Sequence, residues 1–422
     1  MLRNTFMIGA VLGTMLLGAC QDAPGGDEDS ASSGATGIVI GPDSSSSASS
    51  SSTEPGPEPT TSGGATTGVA CVSDDDCGAM YLCSDGVCEF DADWCGEPKI
   101  AAIVPPQVML VLDKSGSMVL NSWDHDADAA SPAITRWQSL HSVVELIVAG
   151  FDAQMELGAV LFPGKTAKAN YQEACLMSDT PDAAVGPMQG AAVLAALPPA
   201  DAGPDLVQGG TPATAGIELA AGHLASLAAG PKRYLVLVTD GAANCRADAA
   251  SNYDIAEIYD DALAPAVAAA YTQHAIATFV VGVDIQDLTT PVAQDGQPDA
   301  TNTYERLNEV AIAGGVPRAG NEKFYNAQNQ LDLSAALTAI ATQLSCTIDL
   351  DPVPTDDQSV ELEIDGAAVP EVEGCDDGVG WHFVDPVLRD AIELCADTCA
   401  AYQAVAAEPD KLEITYRCKT PG

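Results

Sequence analysis

The sequence predicts an α/β protein built on a doubly wound, mostly parallel sheet, with a small disulfide-rich module before it and a small β-rich region after it. Three observations lead to this prediction. Short apolar runs recur across the middle of the chain, amphipathic stretches separate them, and clusters of cysteines lie on either side. Helices cover both faces of a parallel sheet, so its strands appear in a sequence as nearly continuous apolar runs.

The central elements are bounded by polar, glycine or proline residues. Strands are predicted at 108–112, 155–162, 234–238 and 276–281. Helices are predicted at 135–149, 213–228, 255–271, 304–313 and 329–345. These lengths suit strands of roughly four to eight residues and helices of about ten or more. We therefore assign residues 97–346 to one α/β domain.

The N-terminal end carries an export signal. Arg3 precedes a mostly apolar run to residue 19, which is typical of a secretory signal peptide. The run ends in LGAC at 17–20, which resembles the lipobox of bacterial lipoproteins and implies that Cys20 is lipidated. The alternative is an ordinary signal peptide with an unrelated cysteine. The lipobox resemblance implies a lipid-anchored protein of the cell envelope, and Gln21 after the cysteine favours the outer membrane or the cell surface.

Two segments separate the signal from the α/β domain. Residues 20–70 are rich in Ser, Gly, Thr and Pro and contain no aromatic residue, which predicts a disordered tether. Residues 71–96 contain five cysteines and predict a small module held by disulfides. Zinc is the alternative, but this segment has no histidine and no CxxC spacing. Without Cys20, the thirteen cysteines leave an even number, as an exported disulfide-bonded protein requires.

The chain is strongly acidic. Its 60 Asp and Glu residues against 16 Lys and Arg give a net charge of −44 at pH 7. Such a charge repels nucleic-acid phosphates and anionic headgroups. We therefore expect no nucleic-acid partner, and contact with the membrane only through the lipid anchor.

The C-terminal region, residues 347–422, has a different pattern. Apolar and polar residues alternate at 360–364 and 412–416, which predicts half-exposed antiparallel strands, and a short helix is predicted near 386–394. The region also contains four cysteines: Cys375, Cys395, Cys399 and Cys418. We expect a small disulfide-tied appendage without identifiable chemistry.

A candidate metal site begins where the strand at 108–112 ends. Asp113, Ser115 and Ser117 follow in the pattern Asp-x-Ser-x-Ser, an alternation that can aim three oxygens toward one point. Ligands of open α/β sheets bind outside the carboxyl ends of the strands. Asp113 is therefore placed where a ligand is expected.

Two further oxygens come from later motifs. Thr211 ends a Gly-Gly-Thr sequence before a predicted helix, and Asp240 lies in Thr-Asp-Gly directly after the strand at 234–238. Two carboxylates and three hydroxyls are a donor set that suits a hard divalent cation.

In this order, the three motifs resemble the metal-ion-dependent adhesion site of von Willebrand factor type A (vWA) domains, which have a Rossmann-like fold. The resemblance covers residues 107–346, over half of the chain. It implies that Ser115, Ser117 and Thr211 offer hydroxyl oxygens, and that Asp113 and Asp240 bind the metal directly or through water. Mg²⁺ is the expected ion, with Mn²⁺ and Ca²⁺ as alternatives.

The resemblance implies a binding function. A carboxylate from a partner protein, or from another ligand, would complete the coordination of the metal. The alternative is a metal-independent scaffolding lipoprotein of the envelope, since some domains of this fold lack the metal. Lys114 departs from the small or apolar residue common in the first motif. A solvated Lys114 would have no effect, whereas a cation close to the metal would weaken its binding.

The enzymatic interpretations find little support. Gly164-Lys165-Thr166 lacks the correctly spaced earlier glycine of a phosphate-binding loop. The sequence contains no GxSxG elbow and no HExxH motif, and a metal-dependent hydrolase would need a base that we cannot identify. We therefore expect a protein that is not an enzyme.

The segment 163–210 is long for a loop within a compact domain, and such loops are often functional. We prefer a disulfide between Cys175 and Cys245, because it would pin this loop beside the metal face. Connectivity does not follow from sequence, so other pairings stay open.

Overall fold

The computed structural model describes residues 69–77, 80–91, 94, 99–100, 102–126, 128, 130–406, 408 and 411–419. The predicted signal peptide, the lipidation site Cys20 and the tether up to residue 68 lie outside these residues, as does Cys95. All described residues belong to one unit of the chain, which spans residues 63–422.

Disulfides hold the cysteine-rich module together. Strands β1 (Tyr81–Ser84) and β2 (Val87–Phe90) form an antiparallel hairpin beside a short 3₁₀ turn at Asp74–Asp76. Two disulfides join Cys71 to Cys83 and Cys77 to Cys88. These four sulfurs are therefore consumed in covalent bonds, as the disulfide interpretation of the module predicts.

The remaining strands follow in chain order. They are β3 (Lys99–Ile100), β4 (Ala102–Val104), β5 (Gln107–Asp113), β6 (Ser122–Trp123), β7 (Ile134–Thr135), β8 (Glu156–Phe162), β9 (Ala183–Gly186), β10 (Arg233–Thr239), β11 (Ile276–Val283), β12 (Tyr325–Ala327), β13 (Thr347–Asp351), β14 (Gln358–Ile364), β15 (Ala367–Val369), β16 (Trp381–Phe383), β17 (Ala391–Leu394) and β18 (Leu412–Cys418).

The helices are α1 (Ser117–Leu120), α2 (Arg136–Phe151), α3 (Gly190–Ala196), α4 (Ala213–Ser226), α5 (Asn252–Ala256), α6 (Leu263–His274), α7 (Thr303–Ala313), α8 (Gln330–Ser345) and α9 (Ala396–Val405). Side-chain caps start several of them. The Thr135 hydroxyl accepts the Gln138 N–H at the start of α2, and Asn329 caps α8 in the same way.

A six-stranded sheet forms the centre of the molecule, in the order β12-β11-β10-β5-β8-β9. Its strands are parallel except for β9, which runs antiparallel to β8 at one edge. Every residue of β5 is buried, as expected of a strand with helices on both faces. The predicted mixed α/β fold with a mostly parallel sheet is confirmed.

Alternate residues of β5 contribute to two apolar cores. Leu110 and Leu112 belong to a core that contains residues of α2 and α8. Met109 and Val111 belong to another, which contains residues of α4, α6 and α7. Burying each such side chain stabilises the fold by about 1.5–3 kcal/mol, so helices on both faces hold the sheet in place.

Two central elements differ from their predictions. The predicted helix at 255–271 is interrupted, since α5 ends at Ala256 and α6 begins at Leu263. The buried Glu257 carboxylate accepts the Gly296 N–H at the break, so a tertiary contact ends the helix there. The segment 163–210 is also more than a loop, because it contains β9 and α3.

The C-terminal region forms two four-stranded antiparallel sheets, ordered β16-β17-β13-β4 and β15-β14-β18-β3. The alternating strands predicted at 360–364 and 412–416 pair with each other as parts of β14 and β18. Strands β3 and β4 precede the central sheet in sequence but pair with β18 and β13. Strands β3 and β4 therefore contribute to the C-terminal sheets.

The helix predicted near 386–394 is wrong. Residues 391–394 form β17, and a helix follows at α9. Ile392 pairs with Ile348 of β13 and is buried, so strand pairing overrides the local helical pattern. Disulfides join Cys346 to Cys399 and Cys375 to Cys395, and Cys418 is also disulfide-bonded. In the described part of the chain, no helix has both the length and the apolar character needed to cross a membrane.

Candidate metal centre

The predicted site residues come together at the carboxyl ends of two central strands of the parallel sheet. Asp113 is the last residue of β5, and Asp240 directly follows β10, the neighbouring parallel strand. Val238 pairs with Leu112, so the two strands end at the same level. This register brings the two carboxylates together, although their strands lie far apart in the chain. Thr239, the last residue of β10, comes 126 residues after Asp113.

Hydrogen bonds connect the first motif to Asp240. The hydroxyl oxygens of Ser115 and Ser117 lie 2.9 Å apart, and the Ser117 hydroxyl donates to Asp240 Oδ1 at 2.6 Å. Asp113 Oδ1 accepts the Ser115 N–H at 2.8 Å. Its Oδ2 accepts the Thr239 hydroxyl at 2.6 Å. Hydrogen bonds therefore join four of the five predicted residues into one group.

Thr211 approaches the same group from the loop before α4. It lines a pocket of about 640 Å³ together with Ser115, Ser117 and Asp240. The Thr211 N–H donates to Asn244 Oδ1 at 2.7 Å, which fixes the position of the loop. All five predicted residues thus lie at one site: four of them line the pocket, and Asp113 is fully buried and bonded to Ser115.

Glycines allow this loop to pass close to its neighbours. Gly209 has a φ of +108°, a conformation that other residues rarely adopt. A Cβ on Gly210 would lie 2.7 Å from Cys245 Sγ. The Gly-Gly-Thr motif therefore carries glycines for steric reasons, and Thr211 depends on them for its place.

Burial dominates the electrostatics of the two aspartates. Burial, reinforced by the nearby Asp240 charge, raises the pKa of Asp113 to about 7. Burial also raises the pKa of Asp240, against the opposing effect of the Arg136 charge. Burial disfavours the ionised form of both carboxylates, and a nearby cation would stabilise that form. Carboxylate and hydroxyl oxygens are ligands that Mg²⁺, Mn²⁺ and Ca²⁺ accept, so the residues present fit a divalent ion.

Sequence reasoning missed Arg136, the first residue of α2. Its guanidinium donates to Asp240 Oδ2 at 2.8 Å and also to Asp284 Oδ2. The Arg136 side chain is only 12% exposed, so this ion pair is largely shielded from water. Asp284 directly follows β11, as Asp240 follows β10, and this position after a parallel strand is the sequence feature that indicates Asp284 as a site residue. No sequence motif marks Arg136.

Lys114 is not a solvated side chain. It is fully buried, and its ammonium group lies 3.4 Å from the carbonyl oxygens of Leu206 and Gln208. Burial lowers its pKa to about 8, although the Asp113 charge acts in the opposite direction. Lys114 thus connects the first motif to the loop that leads to Thr211.

The predicted disulfide between Cys175 and Cys245 is present. It joins the segment after β8 to the loop that follows Asp240, over a sequence separation of 70 residues. The Gly210 N–H also donates to Ala174 O, next to Cys175. The segment is therefore held against the site from two directions.

Comparisons with known proteins give no family by sequence. No family model matches the chain. No curated protein matches it either.

Several solved structures are similar in fold at low sequence identity. The pilus adhesin SpaC from Lactobacillus rhamnosus GG is 14% identical over 75% of this chain, with a TM-score of 0.41, and this chain spans 39% of that protein. The PilB minor pilin from Streptococcus sanguinis is 16% identical over 58% of this chain and 62% of its own, with a TM-score of 0.36.

A third similar structure is proximal thread matrix protein 1 from the mussel byssus, with a zinc-occupied metal-ion-dependent adhesion site motif. It is 12% identical over 59% of this chain and 50% of its own, with a TM-score of 0.33. At these values the three similarities assign no function to this chain.

Proposed function

We propose that this chain is a cell-surface lipoprotein whose central region is a vWA domain with an adhesive binding function. The domain would bind a partner protein, or another carboxylate-bearing ligand, through a divalent cation. The observation that carries this proposal is the convergence of Asp113, Ser115, Ser117, Thr211 and Asp240 at one sheet edge.

The expected ion is Mg²⁺, with Mn²⁺ or Ca²⁺ as alternatives, because every proposed ligand atom is an oxygen. When bound, the cation supplies an open coordination position for a ligand carboxylate. The chain positions its own ligands through short contacts within the site. Thr239 holds one oxygen of Asp113, and Arg136 holds one oxygen of Asp240, so neither carboxylate is free to rotate.

The same proposal includes where the protein is located and that it is not an enzyme. The N-terminal signal with Cys20 and the Ser/Gly-rich tether support a lipid-anchored domain held away from the membrane surface. A binding module needs no general base, and we propose no enzymatic activity.

The metal site is tested by calorimetric titration of the purified full-length protein with Mg²⁺, Mn²⁺ and Ca²⁺. We expect saturable binding at one site, and loss of that binding in Asp113→Asn, which keeps the shape of the side chain but removes its charge. Asp248→Ala is the matched control, since that side chain is 73% exposed and lies outside the site. Equal binding by wild type and Asp113→Asn would contradict the proposal.

One observation favours the alternative of a metal-independent scaffold. Arg136 already neutralises part of the charge on Asp240 and Asp284, so the protein supplies a positive charge to these carboxylates without a metal ion. The two functions differ in their response to a chelator. Capture of a partner that survives excess EDTA would support the scaffold, and capture that EDTA abolishes would support metal-mediated binding.

A further inference from the structure

A second pocket lies beside the candidate metal centre and has a different character. Its volume is about 640 Å³, and its walls come mainly from three segments: residues 169–172 with Ala174, residues 207–210 with Pro204, and the pairs 244–245 and 255–256. None of the described residues that line it carries a charge. In a chain with a net charge of −44, an uncharged pocket of this size is an exception that needs an explanation.

The two pockets adjoin each other and share part of their lining. Gly116, Gly209 and Gly210 line both of them, and the Gly116 N–H donates to Gly209 O between them. Because glycines carry no side chain, this boundary is low. Leu120 also lines both pockets and is 75% exposed. A ligand held at the metal centre would therefore extend directly into the second pocket.

The walls of this pocket are held in place. The Cys175–Cys245 disulfide ties one wall to another. The Ala169 N–H donates to Gln208 Oε1, and Lys114 donates from below to Leu206 O and Gln208 O. A pocket with cross-linked walls is largely formed before a ligand arrives, which lowers the entropic cost of binding.

The lining is mostly apolar, and its polar side chains, Asn170, Gln172, Gln208 and Asn244, are uncharged. Leu120 also lines the metal pocket, and Tyr171, which is 43% exposed, belongs to the segment after β8. An exposed leucine and tyrosine beside an uncharged cavity favour a neutral apolar or aromatic group. A second acidic group on the ligand would be disfavoured, because the surrounding chain is strongly negative.

We propose that this pocket is a specificity subsite for the ligand whose carboxylate binds at the metal centre. Its occupant is a peptide segment in which an uncharged apolar or aromatic side chain lies within two residues of the acidic one. The proposal rests on the metal-mediated function above and adds the identity of the recognised segment. Recognition then has two points. The acidic side chain of the ligand binds at the metal centre of Asp113 and Asp240, and the neighbouring apolar side chain of the ligand lies in the second pocket, between Leu120 and Tyr171.

The test uses acetylated and amidated pentapeptides on the full-length protein with saturating Mn²⁺. The parent peptide is Gly-Gly-Glu-Gly-Gly, and four derivatives replace one glycine at a time with phenylalanine. We expect at least one phenylalanine peptide to bind about tenfold more tightly than the parent, because an aromatic side chain becomes buried. Aspartate at the same position should weaken binding relative to the parent.

Two rim variants then locate the effect. Leu120→Ala and Tyr171→Ala change partly exposed side chains, so both should fold. We expect each to reduce the preference for phenylalanine, and Tyr171→Ala, which lies outside the metal pocket, to leave Mn²⁺ affinity unchanged. Leu146→Ala is the matched control, because Leu146 is 58% exposed on α2 and lines neither pocket.

The outcomes separate this inference from the proposed function. Mn²⁺-dependent binding of all five peptides with equal affinity would overturn the subsite and leave the metal-mediated function intact. A phenylalanine preference that persists in the double variant Leu120→Ala/Tyr171→Ala would also overturn it. If no peptide bound in a Mn²⁺-dependent way, the proposed function would fail, and the subsite with it.

Discussion

Opposing charges meet within a few residues at the candidate metal centre. Asp113 and Asp240 are buried, and Arg136 bridges Asp240 to Asp284. A buried carboxylate without a cation destabilises the folded state. Arg136 meets part of this need, while Asp113 receives hydrogen bonds from Ser115 and Thr239 but no ion pair among the described residues.

The stability of the metal-free protein should fall as pH rises. The pKa of Asp113 is raised to about 7 in the folded protein, above its unfolded value of 3.8. Its contribution is therefore fully present below about pH 4 and is lost as pH rises through 7. We expect the free energy of unfolding in EDTA to be lower at pH 8 than at pH 5, by on the order of 3 kcal/mol from this group.

Urea unfolding at several pH values measures this effect. Repulsion across so acidic a chain also depends on pH, so Asp113→Asn serves as the control. The slope in this range should be smaller in the variant, which cannot ionise at position 113. An identical pH profile in the two proteins would show that Asp113 is not the group responsible.

Arg136 should stabilise the metal-free fold and oppose metal binding. Replacing it in Arg136→Gln leaves the buried Asp240 without its ion pair, and we expect a loss of about 3 kcal/mol in unfolding free energy without metal. Metal affinity should rise about tenfold, because a positive charge near the site is removed.

Calorimetry and urea unfolding of the same samples test both effects. Arg246→Gln is the matched control, since its ion pair with Asp248 lies at the surface and such pairs contribute about 0–1 kcal/mol. Weaker metal binding in Arg136→Gln would mean that Arg136 acts mainly by positioning Asp240.

At the scale of elements, the site depends on how loops are held against strand ends. The strands β5 and β10 place two aspartates, while Thr211 depends on a loop fastened by Lys114 and by the Cys175–Cys245 disulfide. Parallel strands β5, β8, β10 and β11 begin and end within two residues of their predicted bounds. Continuous apolar runs identify such strands well, since burial on both faces leaves little choice of residue.

Removing the Cys175–Cys245 disulfide should loosen the loop before α4. In Cys175→Ser/Cys245→Ser we expect a loss of up to about 4 kcal/mol in unfolding free energy, from the entropy of a long open loop. Metal affinity should fall several-fold, because Thr211 is no longer held in place. The measurement is calorimetry with Mn²⁺ together with thermal unfolding.

The disulfide between Cys71 and Cys83 supplies the control. It belongs to the N-terminal module, and Cys71→Ser/Cys83→Ser should leave metal affinity unchanged. Equal losses of metal affinity in both double variants would indicate general destabilisation instead of a local effect on the loop.

At the scale of the whole molecule, net charge decides which partners can approach. A net charge of −44 disfavours acidic partners everywhere except where a bound cation reverses the local field. The pocket beside the metal centre has no charged lining residue, so it suits a neutral group and not a second acidic one. The proposed partner is therefore a segment with one acidic group and a neutral apolar neighbour.

Membrane attachment should depend on Cys20. We expect Cys20→Ser to move the protein from the membrane fraction to the soluble fraction, since lipid anchoring requires the thiol. Fractionation of cells that express each protein measures this, with Asp113→Asn as a control that keeps the anchor. Persistent membrane association of Cys20→Ser would contradict the lipobox prediction.

The sequence by itself determined the parallel sheet, the alternation of strands and helices, and the order of the three motifs. These features depend on local periodicity and on residues that directly follow a strand, so they can be read without knowing the fold. The sequence also favours the pairing of Cys175 with Cys245, because this disulfide pins the segment 163–210 beside the metal site.

Only the tertiary structure decided the contacts between distant segments. Arg136 reaches Asp240 across 104 residues and Asp284 across 148, and no local pattern encodes such approaches. The burial of Lys114, the strand at 391–394 and the break between α5 and α6 likewise follow from neighbours supplied by other parts of the chain. Local sequence sets which groups are available, but packing decides which of them meet.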